Sequence, residues 1–369
     1  MKLLASFKAY VILLALAAPL FLSAQKTKKK ISVIAYYDGD ADHIDQYPVE
    51  KLTHIIFSFC HLKGNRLNVD KAKDTVTIQH LVGLKKRNPS LKVILSLGGW
   101  GGCQMCSPVF ATAGGRNEFA KSAKELTDYF KTDGIDLDWE YPAIEGFPGH
   151  QFLPEDKPNF TSLVAALRKS LGAKHEISFA AGGFIKYLQE SIEWDKVIPL
   201  VDKVNLMTYD LVNGYTKVTG HHTSLYSTPQ LSESVNHCVT YLTDTLHVPG
   251  NKLVIGAAFY ARVYEANTTD NNGLYQPGKF SYGISYKDID AKLNESTGFK
   301  YYWDDVANAP FLFNTDKKQL ASYDDKHSIR LKTQYVIDKG LDGIMFWQLG
   351  DDKPTDGLVD EIYKTKMGK

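Results

Sequence analysis

The sequence predicts an α/β fold: a (β/α)8 TIM barrel with a small α+β insertion domain after the seventh strand. Three observations carry that expectation. Eight short apolar, β-branched runs recur at 32–37, 53–59, 92–97, 134–140, 177–181, 203–209, 252–259 and 343–347. Longer stretches with helical period lie between them, at 116–131, 159–171, 231–246 and 326–339 among others, which is the alternation expected of parallel strands with helical crossovers. Polar and aromatic residues gather where the runs end: Tyr37, Phe59, Ser96 before Gly98-Gly99-Trp100, Glu140, Tyr209-Asp210, Tyr260 and Trp347. Barrels of this kind place their active sites at the strand C-termini. An open doubly wound sheet is the alternative, but no Gly-rich phosphate loop follows the first run.

One spacing departs from the rhythm. About sixty residues separate Ala261 from the helix near Lys326, rich in Tyr, Asn and Gly with strand-like pieces at 282–286 and 299–303. A structureless loop of that length is improbable in a compact domain, so an insertion domain is expected at 263–323, within a barrel formed by 25–262 and 324–369. Ahead of these, a basic start, an apolar run at 9–22 and Ser23-Ala24-Gln25 read as a signal peptide over 1–24. The run is short for a membrane span, which needs ~20 residues. The protein is therefore expected to be secreted or periplasmic, with no membrane attachment after cleavage.

Lys and Arg total 43 against 42 Asp and Glu. Such balance offers no basic field for nucleic acid and suits an uncharged partner. Aromatics make up 12% of the chain, compatible with a surface that stacks on flat apolar faces such as those of sugar rings. Of the four cysteines, Cys103 and Cys106 are expected to form a local disulfide, because no second Cys or His pair at zinc spacing accompanies them. Cys60 and Cys238 read as buried small hydrophobes. His221-His222 suggests a metal pair at first sight, but adjacent residues do not share a face, which leaves a structural or substrate-side role. No metal and no cofactor is expected.

The most informative segment is Asp133-Gly134-Ile135-Asp136-Leu137-Asp138-Trp139-Glu140. Alternation along a strand aligns Asp136, Asp138 and Glu140 on one face and Ile135, Leu137 and Trp139 on the other. A solvated edge strand would accommodate the acids but not the apolar residues between them. Carboxylates so close repel and are costly to bury. Stability does not favour the arrangement, whereas raising one carboxyl's pKa toward neutrality is what a general acid needs.

With these residues in view, the chain resembles family 18 glycoside hydrolases of the bacterial chitinase type that carry an α+β insertion. The family signature DxxDxDxE stands here as Asp133, Asp136, Asp138 and Glu140; SxGG as Ser96-Leu97-Gly98-Gly99; Met-x-Tyr-Asp as Met207-Thr208-Tyr209-Asp210; and the Trp closing the eighth strand as Trp347. The resemblance implies a monomeric chitinase acting on chitin or chitooligosaccharides by substrate-assisted, retaining catalysis. It implies Glu140 as acid and base, Asp138 as partner of the substrate acetamide N–H, Asp136 sharing a proton with Asp138, and Tyr209 as donor to the acetamide carbonyl. Trp347 would floor the reacting subsite and Trp100 would be a platform on the leaving-group side. Asp210, Met207, Tyr37, Tyr260, Arg262 and Gly99 would contact sugar, with Ser96 in support. The Cys103 to Cys106 segment after Trp100 departs from the family pattern. An endo-β-N-acetylglucosaminidase acting on N-glycans and a non-catalytic chitinase-like lectin are the alternatives; lectins of this type typically lose the terminal acid, which Glu140 supplies here.

Overall fold

The structure, a computed structural model, describes residues 31–368; the expected signal peptide at 1–24 lies outside the described residues. Among the described residues, fourteen strands form two sheets. The barrel strands are β1 (Ser32–Tyr37), β2 (His54–Lys63), β4 (Lys92–Gly98), β5 (Gly134–Asp138), β6 (Glu176–Gly182), β7 (Lys203–Met207), β8 (Leu253–Ala258) and β14 (Gly343–Trp347). Each pairs in parallel with its neighbours, and β1 pairs with both β14 and β2, so the sheet closes on itself. β3 (Arg66–Asn68) hangs antiparallel on the extended end of β2. The remaining five, β9 (Tyr260–Ala266), β10 (Gly278–Ser285), β11 (Phe299–Asp304), β12 (Ala309–Asn314) and β13 (Gln319–Ser322), form a separate antiparallel sheet in the order β10-β9-β13-β12-β11.

That second sheet occupies the chain between the seventh and eighth barrel strands. It begins at Tyr260 rather than at 263, so Tyr260 and Arg262 ride on its first strand, directly after Ala258 ends β8. Its core comprises Tyr264, Leu274, Phe311, Phe313 and Leu320, with Val212 from the loop after β7.

Strand parity divides the barrel residues into two populations. Outward-facing side chains such as Val33, Ile55, Val93, Ile135, Ile177 and Ile255 pack with the surrounding helices in one large core. A smaller interior cluster holds Ile34, Tyr36, Ile56, Ile94, Met207, Val254 and Met345. Both faces of each strand are buried, as in parallel sheets covered by helices. The helices start and stop where local chemistry dictates. Ala113–Phe130 is capped by the Thr112 hydroxyl, which accepts from the Gly115 N–H, and Lys326–Lys339 opens with a reciprocal Asp325–Ser328 box and ends at Gly340 with φ 65°. The helix expected at 159 begins earlier, as Asp156–Leu171. The stretch expected as helix over 231–246 is shorter and irregular, with Val235–Thr240 running into a π turn at Tyr241–Thr245. Among the described residues, no helix is long and apolar enough to cross a membrane.

The return from the second sheet is fastened by a buried ion pair. Lys332 Nζ lies 2.7 Å from Asp324 and 2.6 Å from both the carbonyl and hydroxyl oxygens of Thr223. Asp324 also accepts from the Ala258 N–H at the end of β8 and from the Ser328 hydroxyl. Both charged side chains are fully buried. Truncating one partner strands the other charge in the core, a loss of about 3–5 kcal/mol. Lys332→Met should lower unfolding free energy by about that amount in urea titration, and Lys332→Met with Asp324→Asn should recover part of it; a loss within about 0.5 kcal/mol, the range of an ordinary surface change, would contradict this role.

Candidate active site

The carboxylate row assembles on β5 and the turn that follows it. The strand ends at Asp138, so Trp139 and Glu140 lie past the ladder, two residues earlier than the sequence suggested. Asp136 points into the closed interior and is wholly buried. The register sets Ser96 on β4 and Ser178 on β6 directly beside it. Their hydroxyls donate to its two oxygens at 2.7 and 2.6 Å, while Tyr36 Oη and Asn205 Nδ2 add bonds of 3.2 Å each. Burial raises the Asp136 pKa, and these donors oppose the rise. Four donors surround Asp136, from Tyr36, Ser96, Ser178 and Asn205, and Asp138 is not among them.

Asp138 has the opposite environment. It is buried, and its Oδ1 has no hydrogen-bond partner among the described residues. Burial, then the charges of Glu140 and Asp136, push its pKa well above the usual carboxylate range. Its backbone carbonyl is gripped by the Gly99 N–H at 3.0 Å. This close approach requires the preceding glycine: a Cβ on Gly98, at φ 110°, would lie 2.1 Å from that carbonyl oxygen.

Glu140 sits at the mouth, partly open to solvent. Burial of its carboxyl, opposed by a hydrogen bond from Tyr141 and reinforced by the negative charge of Asp210, raises its pKa to about 7. A carboxyl so placed keeps its proton in mildly acidic solution and can surrender it near neutrality.

The other expected residues surround this row. Tyr209 follows β7 and shares the interior cluster with Met207, Trp347 and Tyr141. Its hydroxyl makes only a 3.9 Å contact with Met345 Sδ, which leaves a donor available beside the carboxyls. Trp347 stacks on Phe59 with ring centroids 5.5 Å apart and planes inclined by 11°. Gly99 makes that stack possible, because a Cβ there would strike the Phe59 ring at 2.4 Å. Asp210 is held by the Arg262 guanidinium, with Nη2 at 2.5 Å, and by Tyr260 Oη at 2.7 Å. Burial alone would raise the Asp210 pKa, but the Arg262 guanidinium holds it far below the usual range. Trp100 is 47% exposed, with its ring edge-on to Phe147 at 5.6 Å and tilted to Tyr141 at 6.3 Å. Just beyond it, the expected Cys103–Cys106 disulfide is formed, while Cys60 and Cys238 are free and buried.

Tyr37 is the correction. It faces outward into the helix-side core, fully buried, with its hydroxyl on the Asp40 carbonyl at 2.6 Å. The neighbouring Tyr36 is the one that enters the barrel and reaches Asp136, because parity on β1 places Ile34 and Tyr36 inside together. Sequence reasoning also passed over Ser178, Asn205 and the hydroxyl of Tyr141, and it placed Phe59 at a strand end without giving it a role. Counting alternate positions back from Tyr209 along β7 would have found Asn205. Trp303 stacks on His327 at 4.2 Å, and Trp194 is buried with its N–H on the Leu188 carbonyl. Among the described residues, no group of three His, Cys, Asp or Glu side chains is placed to hold a metal ion.

Chemically, the site offers a proton on Glu140, a buried oxygen on Asp138 without a hydrogen-bond partner among the described residues, and a Tyr209 hydroxyl whose contact with Met345 Sδ is long, 3.9 Å. Comparisons with known proteins identify the family. The sequence model described as glycosyl hydrolases family 18 matches residues 32–352. Chitinase A1 of Niallia circulans is 36% identical over 323 residues, covering 78% of this chain and 46% of that protein, so the chain spans less than half of its length. Chitotriosidase-1 of Mus musculus is 32% identical over 318 residues, covering 81% of this chain and 67% of that protein. Among solved structures, a glycoside hydrolase family 18 N-acetylglucosaminidase from Paenibacillus barengoltzii is similar with a TM-score of 0.83 at 36% identity, covering 91% of this chain and 99% of that one. Chitinase ChiA74 from Bacillus thuringiensis gives 0.84 at 27%, covering 92% and 70%.

The environment of Glu140 has a direct readout. In carboxyl 13C NMR its resonance should titrate with a midpoint near 7, and Asp210→Asn, which removes a raising charge, should move the midpoint down. An ordinary glutamate midpoint near 4.5 would contradict this geometry. Because the folded-state pKa is the higher one, the same proton also favours the native state below about 4.5, and that contribution is lost as pH rises through about 7.

Proposed function

Because this chain belongs to glycosyl hydrolase family 18, we propose that it is a chitinase that hydrolyses β-1,4 linkages between N-acetylglucosamine units with retention of configuration. The observation that carries this reading is the contrast along one strand. Asp136 is saturated with donors, Asp138 keeps a buried oxygen unpaired, and Glu140 keeps a proton near neutral pH.

In this mechanism the reacting sugar lies on Trp347. Glu140 gives its proton to the glycosidic oxygen as the C–O bond breaks. The carbonyl oxygen of the sugar's own 2-acetamido group closes on the anomeric carbon and forms an oxazolinium ion, so no enzyme nucleophile is needed. The acetamide N–H supplies the donor that Asp138 Oδ1 lacks. Tyr209 directs the acetamide oxygen beneath the anomeric carbon; positioning of this kind can supply several kcal/mol. Glu140, now ionised, takes a proton from water as the ring opens. Arg262 and Tyr260 hold Asp210 beside this centre, and Trp100 takes the leaving sugar. A secreted or periplasmic monomer is the accompanying reading; the Cys103–Cys106 disulfide favours an oxidising compartment.

Release of single N-acetylglucosamine units is a second reading, favoured by the likeness to the Paenibacillus N-acetylglucosaminidase across nearly all of that chain. Incubating the protein with a chitin hexasaccharide and following products by NMR separates the two. The chitinase reading expects early products of two or three sugars in the β form. Single sugars from the outset would favour the second, and an intact hexasaccharide would overturn both. Glu140→Gln should lower kcat by about a thousandfold while oligosaccharide binding persists. Turnover near that of the unaltered enzyme would sink the assignment of the acid.

A further inference from the structure

The loop after β7 doubles back to pass beneath Asp210, and there His222 is completely buried. Asp210 adopts φ 56°, a left-handed conformation that few side chains accept and that must be held by its surroundings. His222 supplies two of the holds. Its Nδ1 lies 3.3 Å from the Asp210 backbone N–H, and its own carbonyl accepts from the Leu211 N–H at 3.1 Å. The His222 backbone is in turn anchored by its N–H on the Ser322 hydroxyl at 2.9 Å, and its ring packs on Tyr260 at 5.2 Å. Nε2 has no partner among the described residues.

These contacts define a tautomer. An Nδ1 that accepts from a backbone N–H bears no proton, so the single ring proton resides on Nε2. The groups facing the ring are Asp210, Arg262 and Tyr260 on the site side and Asp324 on the other. The two carboxylates would favour a cation, but burial opposes one, as does Arg262, and the ring is held neutral. A proton on Nδ1 would remove the acceptor from the Asp210 N–H and set an N–H 3.4 Å from the Asp210 carboxylate, competing with Arg262 for it.

We infer that His222 is a positioning residue which, as a neutral imidazole accepting the Asp210 backbone N–H, fixes the left-handed turn that holds the Asp210 carboxylate on Arg262 and Tyr260 beside the catalytic carboxyls. The inference rests on the chitinase reading for its kinetic consequence and on geometry alone for its tautomer. His222 acts through Asp210 and touches no reacting atom. When the turn loosens, the Asp210 charge moves away from Glu140 and the acid loses part of what keeps it protonated.

The test compares His222→Phe, which keeps a ring but no acceptor, with His222→Asn, whose Oδ1 can take the place of Nδ1. On a chitin oligosaccharide, His222→Phe should lower kcat by roughly tenfold or more and move the alkaline limb of kcat/KM to lower pH, while KM changes less. His222→Asn should restore both toward the unaltered enzyme. Ring 15N NMR of the unaltered protein at neutral pH should show Nδ1 unprotonated and Nε2 protonated. If the unaltered protein cleaves chitin oligosaccharides and His222→Phe matches it in kcat and pH limb, the inference falls while the chitinase reading stands. If the unaltered protein cleaves none, the chitinase reading falls and the 15N spectrum decides this inference alone: a proton on Nδ1 overturns it and a bare Nδ1 supports it.

Discussion

A carboxylate inside a closed barrel has no water to turn to, and the design of this molecule follows from how it treats three of them in succession. Asp136 is given four donors from four different strands. Those bonds need β1, β4, β6 and β7 to stand in fixed register around β5, which only closure of the sheet provides. The donors stabilise one buried acid and, by occupying it, leave Asp138 alone with its burial and its neighbours' charge. Desolvation therefore acts more strongly at the end of the strand than at its centre, where hydrogen bonds oppose it. The proton of Glu140 and the vacant acceptor of Asp138 are two outcomes of the same constraint.

The insertion acts on this centre from one side. Arg262 and Tyr260 stand on its first strand and Ser322 on another, and together with His222 they hold Asp210. The Lys332–Asp324 pair fastens the returning chain to the end of β8 and to Thr223, next to His222. The second sheet is thus more than a wall beside the cleft. Its attachment bears on the charge that Glu140 experiences, through a short series of buried hydrogen bonds.

Much of this was legible in the sequence, for physical reasons. The acids of β5 alternate with apolar residues, so their shared face could be read from a period of two. The long spacing after Ala261 required an extra structured unit. Tyr37 was misread because Ile34, Ala35, Tyr36 and Tyr37 are all apolar or aromatic, and a strand buried on both faces shows no alternation to reveal which tyrosine enters the barrel. Ser178 and Asn205 are single polar residues in apolar strands; the meaning of Ser178 appears when register sets it beside Asp136, and that of Asn205 when closure lets its side chain reach Asp136 across the interior. Phe59 was visible as an aromatic residue at a strand end, but its stacking on Trp347 depends on the missing Cβ of Gly99. His222 stood out as one of an adjacent pair, and its direction depends on a loop path that no local pattern encodes.

The central claim is that the unpaired oxygen of Asp138 and the donor on Tyr209 serve the substrate's acetamido group. The direct measurement is turnover of two β-1,4 hexasaccharides of equal length, one of N-acetylglucosamine and one of glucose, under identical conditions. Cleavage of the first with no detectable cleavage of the second is the expected result. Comparable rates on both would contradict the account, since a sugar with only a hydroxyl at its second carbon has no acetamide for Asp138 and Tyr209 to hold and no internal nucleophile to replace the one the enzyme lacks.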